Sequence, residues 1–408
     1  MSARRIGALV AALMVGALAL VACGDAGSDR ASTSKVDAHH HSTADAPPGA
    51  PLRDGERFLD LTMPEPYKPK APTTGTDDYR CFLLDPHLAD PAFVTGLDVL
   101  PGRRDLVHHV ILFRVGPDEV ADAKAQDARA KGQGWTCFGG AGVSSSEANN
   151  PLESAPWLGA WAPGGGERVL AKDIGIPLEA GSRIIMQVHY NLLEGSHPDT
   201  SSARLRLAPG TADLDPLETM LLPAPVELAC RTGKSGPLCD RDAAVRDVST
   251  RFGGQSGLMV AGLQFLCGGD PDDPKASPVQ TCDRTMRAAA TVRAVAGHMH
   301  LLGRSISVTL NPGKPRERVL LDVPVWDFDD QGAKSLAKPA KIRPGDVLRV
   351  TCRHDQALRD AVPELEDAPE RYVVWGEGTT DEMCLGIVMV TASGEKNEAL
   401  EQRVTQVN

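Results

Sequence analysis

Histidine is the most informative residue type in this chain, and its clearest cluster is the His298-Met299-His300 stretch. The flanking segments alternate branched apolar residues with small or polar ones, which predicts β-strand on both sides. Residues i and i+2 of a strand share a face, so the two histidines would lie side by side with their Cβ atoms about 6.5 Å apart. At that separation they can converge on one metal ion. The alternative is a pair of structural or surface histidines.

A second pair, His108-His109, opens a predicted strand that spans residues 105–115. Adjacent strand residues face opposite sides of a sheet. Both histidines can bind one metal only if the strand twists or bulges there, or if one binds through Nδ1 and the other through Nε2. Taken alone, such a pair more often has one buried and one exposed member.

Three further residues belong with these pairs. Residues 174–180 and 181–192 are predicted to form a hairpin. His189 lies in its second strand and shares a face with Gln187, and a polar pair on one strand face needs water or a function. Gln187 therefore supports a metal site, lies near a ligand-binding cleft, or simply packs. Met383 opens the last predicted strand, residues 382–390, and His354 is a candidate for a supporting role near the His298/His300 pair.

Composition bounds the class of protein. The chain has 408 residues, enough for two domains, with a net charge of −11, which argues against a nucleic-acid partner. Its 40 glycines and 31 prolines, with few helical patterns, predict an all-β protein with many turns.

The N-terminus has the pattern of an export signal. Two arginines precede an apolar run, and residues 1–22 are predicted to be a signal peptide. The run ends in Leu-Val-Ala-Cys23, which resembles a bacterial lipobox and implies a lipid on Cys23 that anchors the protein to the membrane of the cell envelope. Gly24 in place of Asp favours the outer membrane over the inner one. Residues 23–55 are predicted to be a flexible tether, and its three histidines, His39 to His41, either collect metal ions weakly or have no role.

Nine cysteines minus Cys23 leave eight, which predicts up to four disulfides in an exported protein. No two of them form a Cys-x-x-Cys pair, which argues against a zinc ribbon or a thioredoxin-like site.

In their order and spacing, the histidine and methionine motifs resemble the copper type II, ascorbate-dependent monooxygenases, the family of peptidylglycine α-hydroxylating monooxygenase and dopamine β-monooxygenase. The resemblance covers residues 55–395. It implies two antiparallel, jelly-roll-like β-sandwich domains that face each other across a copper cleft. It also implies two copper ions, with dioxygen, an ascorbate-like electron donor and a small-molecule substrate as partners. The implied ligands of the electron-transfer copper are His108, His109 and His189, and those of the oxygen-binding, catalytic copper are His298, His300 and Met383.

The ligand chemistry is consistent with these assignments, because a thioether favours Cu(I) and imidazole suits both oxidation states. The substrate side departs from the family. The peptide-hydroxylating member holds a substrate carboxylate with an arginine two residues before the His-x-His, where this chain has Ala296. Leu385 and Ile387 replace two polar residues of that member. We therefore expect an apolar or uncharged, non-peptide substrate.

The predicted domains are residues 56–208 and 209–398, with a disulfide-rich insertion at about 230–285. The resemblance implies a Cys352–Cys384 disulfide. We also expect Cys81–Cys137, and among the three connectivities open to the insertion's cysteines we favour Cys230–Cys239 with Cys267–Cys282.

Three functional hypotheses remain at this stage. The first is a copper monooxygenase that hydroxylates a C–H bond, and the second is a non-catalytic copper-binding lipoprotein for storage, sensing or delivery. The third is a structural or sugar-binding β-sandwich with coincidental histidines.

Overall fold

The computed structural model describes residues 49–71, 75–143, 155–193, 195–366 and 368–392. The predicted signal peptide, the lipidation residue Cys23 and the His39–His41 run lie outside these residues. None of the helices in the described part of the chain has the length and hydropathy needed to span a bilayer.

The described elements are mostly strands, as predicted. The strands of the N-terminal half are β1 (Arg57–Thr62), β2 (Asp77–Leu84), β3 (Ala92–Leu100), β4 (Val107–Val115), β5 (Trp135–Thr136), β6 (Trp157–Trp161), β7 (Arg168–Val169), β8 (Ile174–Leu178), β9 (Arg183–Asn191) and β10 (Ser202–Pro209). Those of the C-terminal half are β11 (Asp215–Pro223), β12 (Glu227–Leu228), β13 (Val279–Thr285), β14 (Ala290–His298), β15 (Gly303–Leu310), β16 (Arg318–Val323), β17 (Lys334–Ile342), β18 (Val347–His354), β19 (Val373–Val374) and β20 (Leu385–Ala392). The α-helices are α1 (Val120–Arg129), α2 (Arg241–Phe252) and α3 (Gly254–Leu266).

The strands build two sandwiches that share one large sheet. In the N-terminal sandwich, a sheet ordered β5-β2-β9-β4-β6 covers the β1-β10-β3-β8 part of the large sheet. In the C-terminal sandwich, a sheet ordered β13-β18-β15-β16 covers its β11-β20-β14-β17 part. A short parallel pairing of β8 with β11 joins the two parts. The predicted boundary between residues 208 and 209 falls just before β11 and stays a prediction.

Each sandwich encloses its own apolar core, and the two cores meet. Residues of β2, β4 and β9 pack on β3, β8 and β10 in the first, and residues of β14 and β20 pack on β15 and β18 in the second. Leu217, Ala294 and Met389 of the C-terminal half join the N-terminal core. The two sandwiches therefore touch along the β11-β20-β14 face.

One local prediction was wrong. The segments at 174–180 and 181–192 were expected to form a hairpin, but β8 pairs with β3 and β11 whereas β9 pairs with β2 and β4. The chain thus crosses from one layer of the sandwich to the other at this turn. The 230–285 insertion, which has few strand signals in its sequence, contains α2 and α3, which pack on each other and bury Val248, Val260 and Leu263.

Four disulfides link the cysteines in the expected pairs. They are Cys81–Cys137, Cys230–Cys239, Cys267–Cys282 and Cys352–Cys384. The last joins β18 to the residue that precedes β20 and follows Met383, so it fixes the segment that carries this methionine.

Candidate metal centres

His108, His109 and His189, together called the His triad, meet on one side of the β4-β9 pair. Across this pair Val107 faces Tyr190 while His109 faces His189, so His108 is an extra residue in the ladder. This irregularity is the bulge that two adjacent histidines need in order to face one point. Their Nδ1 atoms form a triangle with edges of 3.0, 3.3 and 3.4 Å.

This triangle fits a metal ion. Its centre lies about 1.9 Å from each nitrogen, close to the bond of about 2.0–2.1 Å that imidazole makes to a first-row ion such as zinc. Hydrogen bonds among three ring nitrogens this close cannot give every nitrogen a partner. A cation among them resolves the repulsion between their lone pairs.

Asp77 orients the His triad from behind. Its Oδ1 lies 2.8 Å from His189 Nε2 and also accepts hydrogen bonds from the backbone N–H and the hydroxyl of Thr379. Burial raises the pKa of Asp77, but the hydrogen bonds from His189 and Thr379 outweigh it and leave the pKa below its ordinary value. An ionised Asp77 accepts the Nε2 proton of His189, which leaves Nδ1 free for a metal. Tyr79 stacks on the His189 ring with centroids 3.9 Å apart.

The His298/His300 pair differs from its prediction in one respect. His298 ends β14, but His300 lies outside the strand, in the turn that leads to β15. Glycines on both sides of this turn let side chains pack directly on the backbone, because a Cβ on Gly297 would lie 2.7 Å from Ile306 and one on Gly303 would lie 2.6 Å from Trp326. The two imidazole centroids are nevertheless only 5.1 Å apart.

Both rings of this pair present Nε2 as the free nitrogen. His298 Nδ1 lies 2.6 Å from Gln331 Oε1, and His300 Nδ1 lies 3.3 Å from the carbonyl oxygen of Asp381. These acceptors place the proton on Nδ1 in each ring. His300 Nε2 is buried and has no hydrogen-bond partner among the described residues. A buried nitrogen lone pair without a donor is suited to a metal ion.

Glu382 holds Met383 beside this pair. Its carboxylate is fully buried and accepts backbone hydrogen bonds from His300, Leu302 and Met383 at 3.1, 2.5 and 3.2 Å. His354 Nε2 lies 3.3 Å from the same carboxylate and 3.2 Å from the Met383 carbonyl oxygen. One carboxylate thus ties the turn that carries His300 to the residue that would supply the thioether.

Burial keeps the imidazoles of His108, His109, His298 and His300 neutral. It lowers the pKa of His108 and His109 well below the ordinary value, with the neighbouring histidines adding to the effect. Burial, together with His300, lowers the pKa of His298 to about 3, and burial also lowers the pKa of His300. Neutral imidazole is the form that binds a metal, so the sites are ready for one at neutral pH.

The two clusters approach each other closely. The His109 and His298 ring centroids are 6.0 Å apart, and Phe328 stacks on His108 with centroids 4.6 Å apart. Gln331, which orients His298, lies three residues after Phe328. The loop between β16 and β17 therefore contacts both clusters.

A cavity of about 550 Å³ opens beside them, between the two sandwiches. His109, His298 and Met383 line one part of it. Most of the other lining side chains are apolar, and they include the three residues singled out from the sequence, Ala296, Leu385 and Ile387, as well as Trp157 and Trp161.

Several supporting residues were not found from the sequence. Asp77, Tyr79, Phe328, Gln331 and Glu382 lie far from the motifs they serve or carry no pattern of their own. Only Glu382 had a usable signal, because it directly precedes Met383.

Gln187 donates to the carbonyl oxygens of Cys137 and Gly140 at 2.8 and 2.9 Å. Its amide group thus ties β9 to the segment that follows β5, and its side chain also lines the cavity.

Residues 275–399 match the family model described as copper type II ascorbate-dependent monooxygenase, C-terminal domain. This region contains His298, His300, Met383 and the Cys352–Cys384 disulfide. The His triad lies outside it. The match extends over less than half of the chain and shows that the C-terminal region is similar to a copper-binding oxidoreductase domain.

Other comparisons add little. No curated protein matches the chain. The similar solved structures include the major capsid protein P2 of bacteriophage PM2, at 8% identity over 83% of this chain and 99% of that one with a TM-score of 0.29. They also include the VP2 subviral particle of infectious bursal disease virus, at 6% identity over 86% of this chain and 75% of that one, with a TM-score of 0.19. A third is the coconut allergen cocosin, at 12% identity over 83% of this chain and 86% of that one, with a TM-score of 0.14. Similarities this weak support no conclusion about function.

Proposed function

We propose that this protein is a copper-dependent monooxygenase that hydroxylates a C–H bond of a small, non-peptide molecule. One oxygen atom of dioxygen enters the C–H bond, and the other leaves as water with two protons and two electrons from an ascorbate-like reductant. Bound copper supplies the one-electron redox steps and the activation of dioxygen. The observation that carries the proposal is the pairing of two histidine clusters at one cavity, one all-imidazole and one with a thioether.

Two different sets of residues would bind the two copper ions. His108, His109 and His189 would hold one copper through Nδ1, and this all-imidazole site is suited to storing an electron. His298 and His300 would hold the other through Nε2, with Met383 as a soft ligand that favours Cu(I). Because His109 and His298 are 6.0 Å apart, an electron has a short path between the sites. The apolar wall excludes water from the reacting carbon.

The alternative is a copper-binding protein without catalysis. It explains both clusters, but not the 550 Å³ chamber beside them. Storage or delivery of an ion needs no space for a second, organic molecule.

The test is substitution of Met383 in the copper-loaded protein, with oxygen consumption and product formation measured under ascorbate. Met383→His should keep copper bound, since imidazole is a competent ligand, yet largely abolish hydroxylation. Met383→Ile should weaken copper at that site alone. Met286→Ile is a matched control, because Met286 is also buried but lies outside the cavity lining. Full turnover by Met383→Ile would show that the catalytic copper is misassigned.

We further propose that the protein is exported and anchored to the cell envelope through a lipid on Cys23. Four disulfides support an oxidising compartment. In cells fed a labelled fatty acid, Cys23→Ser should abolish labelling and release the protein from the membrane fraction. Continued labelling of that variant would contradict the anchor.

A further inference from the structure

Arg168 lines the same cavity at a distance from the metal clusters. It lies on β7, which pairs with β3, and its side chain reaches across to the Sδ atom of Met389 on β20. Leu385, Ile387 and Met389 alternate along β20 and all line the cavity. Leu385 pairs with His298. Leu385 and Met389 are four residues apart, which at about 3.3 Å per residue places them about 13 Å apart along the strand.

The guanidinium of Arg168 lacks a matching anion. No carboxylate within the described ranges lies in salt-bridge distance of it, and a thioether is a weak acceptor. Burial lowers the pKa of Arg168. Its neighbour Glu167 is already paired, since it lies 2.8 Å from Arg206 Nη1 and accepts from Ala50 N at 2.7 Å. A partly desolvated guanidinium facing a cavity is suited to bind an anionic oxygen group from a ligand.

We infer that the substrate is an elongated amphiphile whose anionic head binds Arg168 and whose apolar end reaches Met383. The inference rests on the proposed function and names its substrate class. It also explains the loss of an arginine at Ala296: the anion is held at the far end of the cavity, and the reacting end is apolar. The sequence-based expectation of an uncharged substrate then applies to that reacting end only.

Binding tests this without turnover. The probes are dodecanoate, dodecyl phosphate, uncharged dodecanamide and the short acid butanoate, each kept below its micelle-forming concentration. The full-length, metal-free protein is titrated by calorimetry and by the fluorescence of its tryptophans, of which Trp157 and Trp161 line the cavity. We expect dodecanoate or dodecyl phosphate to bind more tightly than dodecanamide, and butanoate to bind more weakly than dodecanoate. The preference between the two anions distinguishes a carboxylate from a phosphate head.

Two variants and a control isolate the arginine. Arg168→Gln should weaken binding of the preferred anion about 10-fold to 100-fold and leave dodecanamide within about 3-fold, because only the charge-assisted hydrogen bonds are lost. Arg168→Lys should retain part of the anion preference. Arg104→Gln is the control, because Arg104 is exposed 5.9 Å from the Trp161 ring but does not line the cavity. It should change binding less than 3-fold.

The inference is overturned if no long-chain probe binds, if the amide binds as well as the anions, or if Arg104→Gln matches Arg168→Gln. An equal loss of amide binding in Arg168→Gln would likewise overturn it, since the residue would then be structural. Failure of the proposed function can be distinguished from failure of this inference. If an anion binds through Arg168 but the copper-loaded protein hydroxylates no amphiphile, only the monooxygenase proposal falls. If a neutral amphiphile is hydroxylated equally by Arg168→Gln, only this inference falls.

Discussion

Glu382 offers the sharpest test of how the His298/His300/Met383 cluster is built. Its buried carboxylate accepts three backbone N–H groups, from His300 and Met383 at one oxygen and from Leu302 at the other. Leaving a buried donor unpaired costs about 1–3 kcal/mol. Glu382→Ala removes all three acceptors and should lower the free energy of unfolding by about 3–6 kcal/mol. Glu382→Gln keeps one carbonyl oxygen, so the loss should be about 1–3 kcal/mol.

The assay is urea denaturation of the metal-free, disulfide-intact protein, followed by circular dichroism. The midpoint should shift while the slope stays constant, since the surface exposed on unfolding is unchanged. Glu179→Gln serves as the matched control. Its side chain is exposed, and the substitution should change stability by less than about 0.5 kcal/mol.

The affinity for copper is a second, independent measurement of the effect of Glu382→Gln. Displacing the His300 turn should weaken copper at the His298/His300/Met383 cluster about 10-fold to 100-fold, as loss of a supporting contact does at other metal sites. The His triad should keep its copper. If Glu382→Gln is as stable as wild type, or if both coppers weaken alike, the carboxylate does not organise this cluster and our account of the Met383 segment is wrong.

Two further outcomes are expected. The wild type should bind two coppers per chain and His108→Ala one, by elemental analysis after dialysis; loss of both from the variant, or one in the wild type, would refute two sites. Burial, with Asp381 nearby, raises the pKa of Glu377 to about 7. The folded protein then keeps a proton that the unfolded chain has lost, so stability falls by up to about 3 kcal/mol as pH rises from 4.5 through 7. Glu377→Gln should make the urea midpoint nearly independent of pH over that range. If the midpoint of the variant falls with pH as steeply as that of wild type, Glu377 does not cause the pH dependence.

The sequence predicted the residues that meet but not those that support them. Strand geometry offered a bulge at His108 as one of the ways in which adjacent histidines can face one point, and the structure has that bulge. Asp77 and Gln331 had no such signature, and Glu382 had only its position next to Met383. A carboxylate or amide in a polar stretch looks like a surface residue until the fold brings it against an imidazole.

Local pattern failed where packing decides the outcome. The α3 segment contains three glycines and would be a poor helix in isolation. It is helical here because it packs on α2 and buries Val260 and Leu263. The turn between β8 and β9 looked like a hairpin connection, since nothing in the sequence specifies which layer the next strand will join.

The contacts between the sandwiches bear on how independent the two metal sites are. Asp77, which orients His189, belongs to the N-terminal sandwich, but two of its four hydrogen bonds come from Thr379 of the C-terminal half. Tyr79, stacked on His189, donates its hydroxyl proton to the Glu377 carbonyl oxygen at 2.6 Å. The His triad therefore depends on a segment that precedes Met383 by only a few residues.

This dependence gives the last prediction. Thr379→Val keeps the side-chain shape and removes the hydroxyl donor at 2.8 Å from Asp77 Oδ1. The carboxylate then loses one of the bonds that fix its position behind His189, and we expect the affinity of the His triad for copper to fall about 10-fold. No ligand is touched, and the Met383 site should be unaffected. Thr309→Val, on β15 and away from Asp77, is the control. Competition with a copper chelator measures each site in turn. If Thr379→Val binds copper at the His triad as wild type does, the sandwiches hold their metals independently.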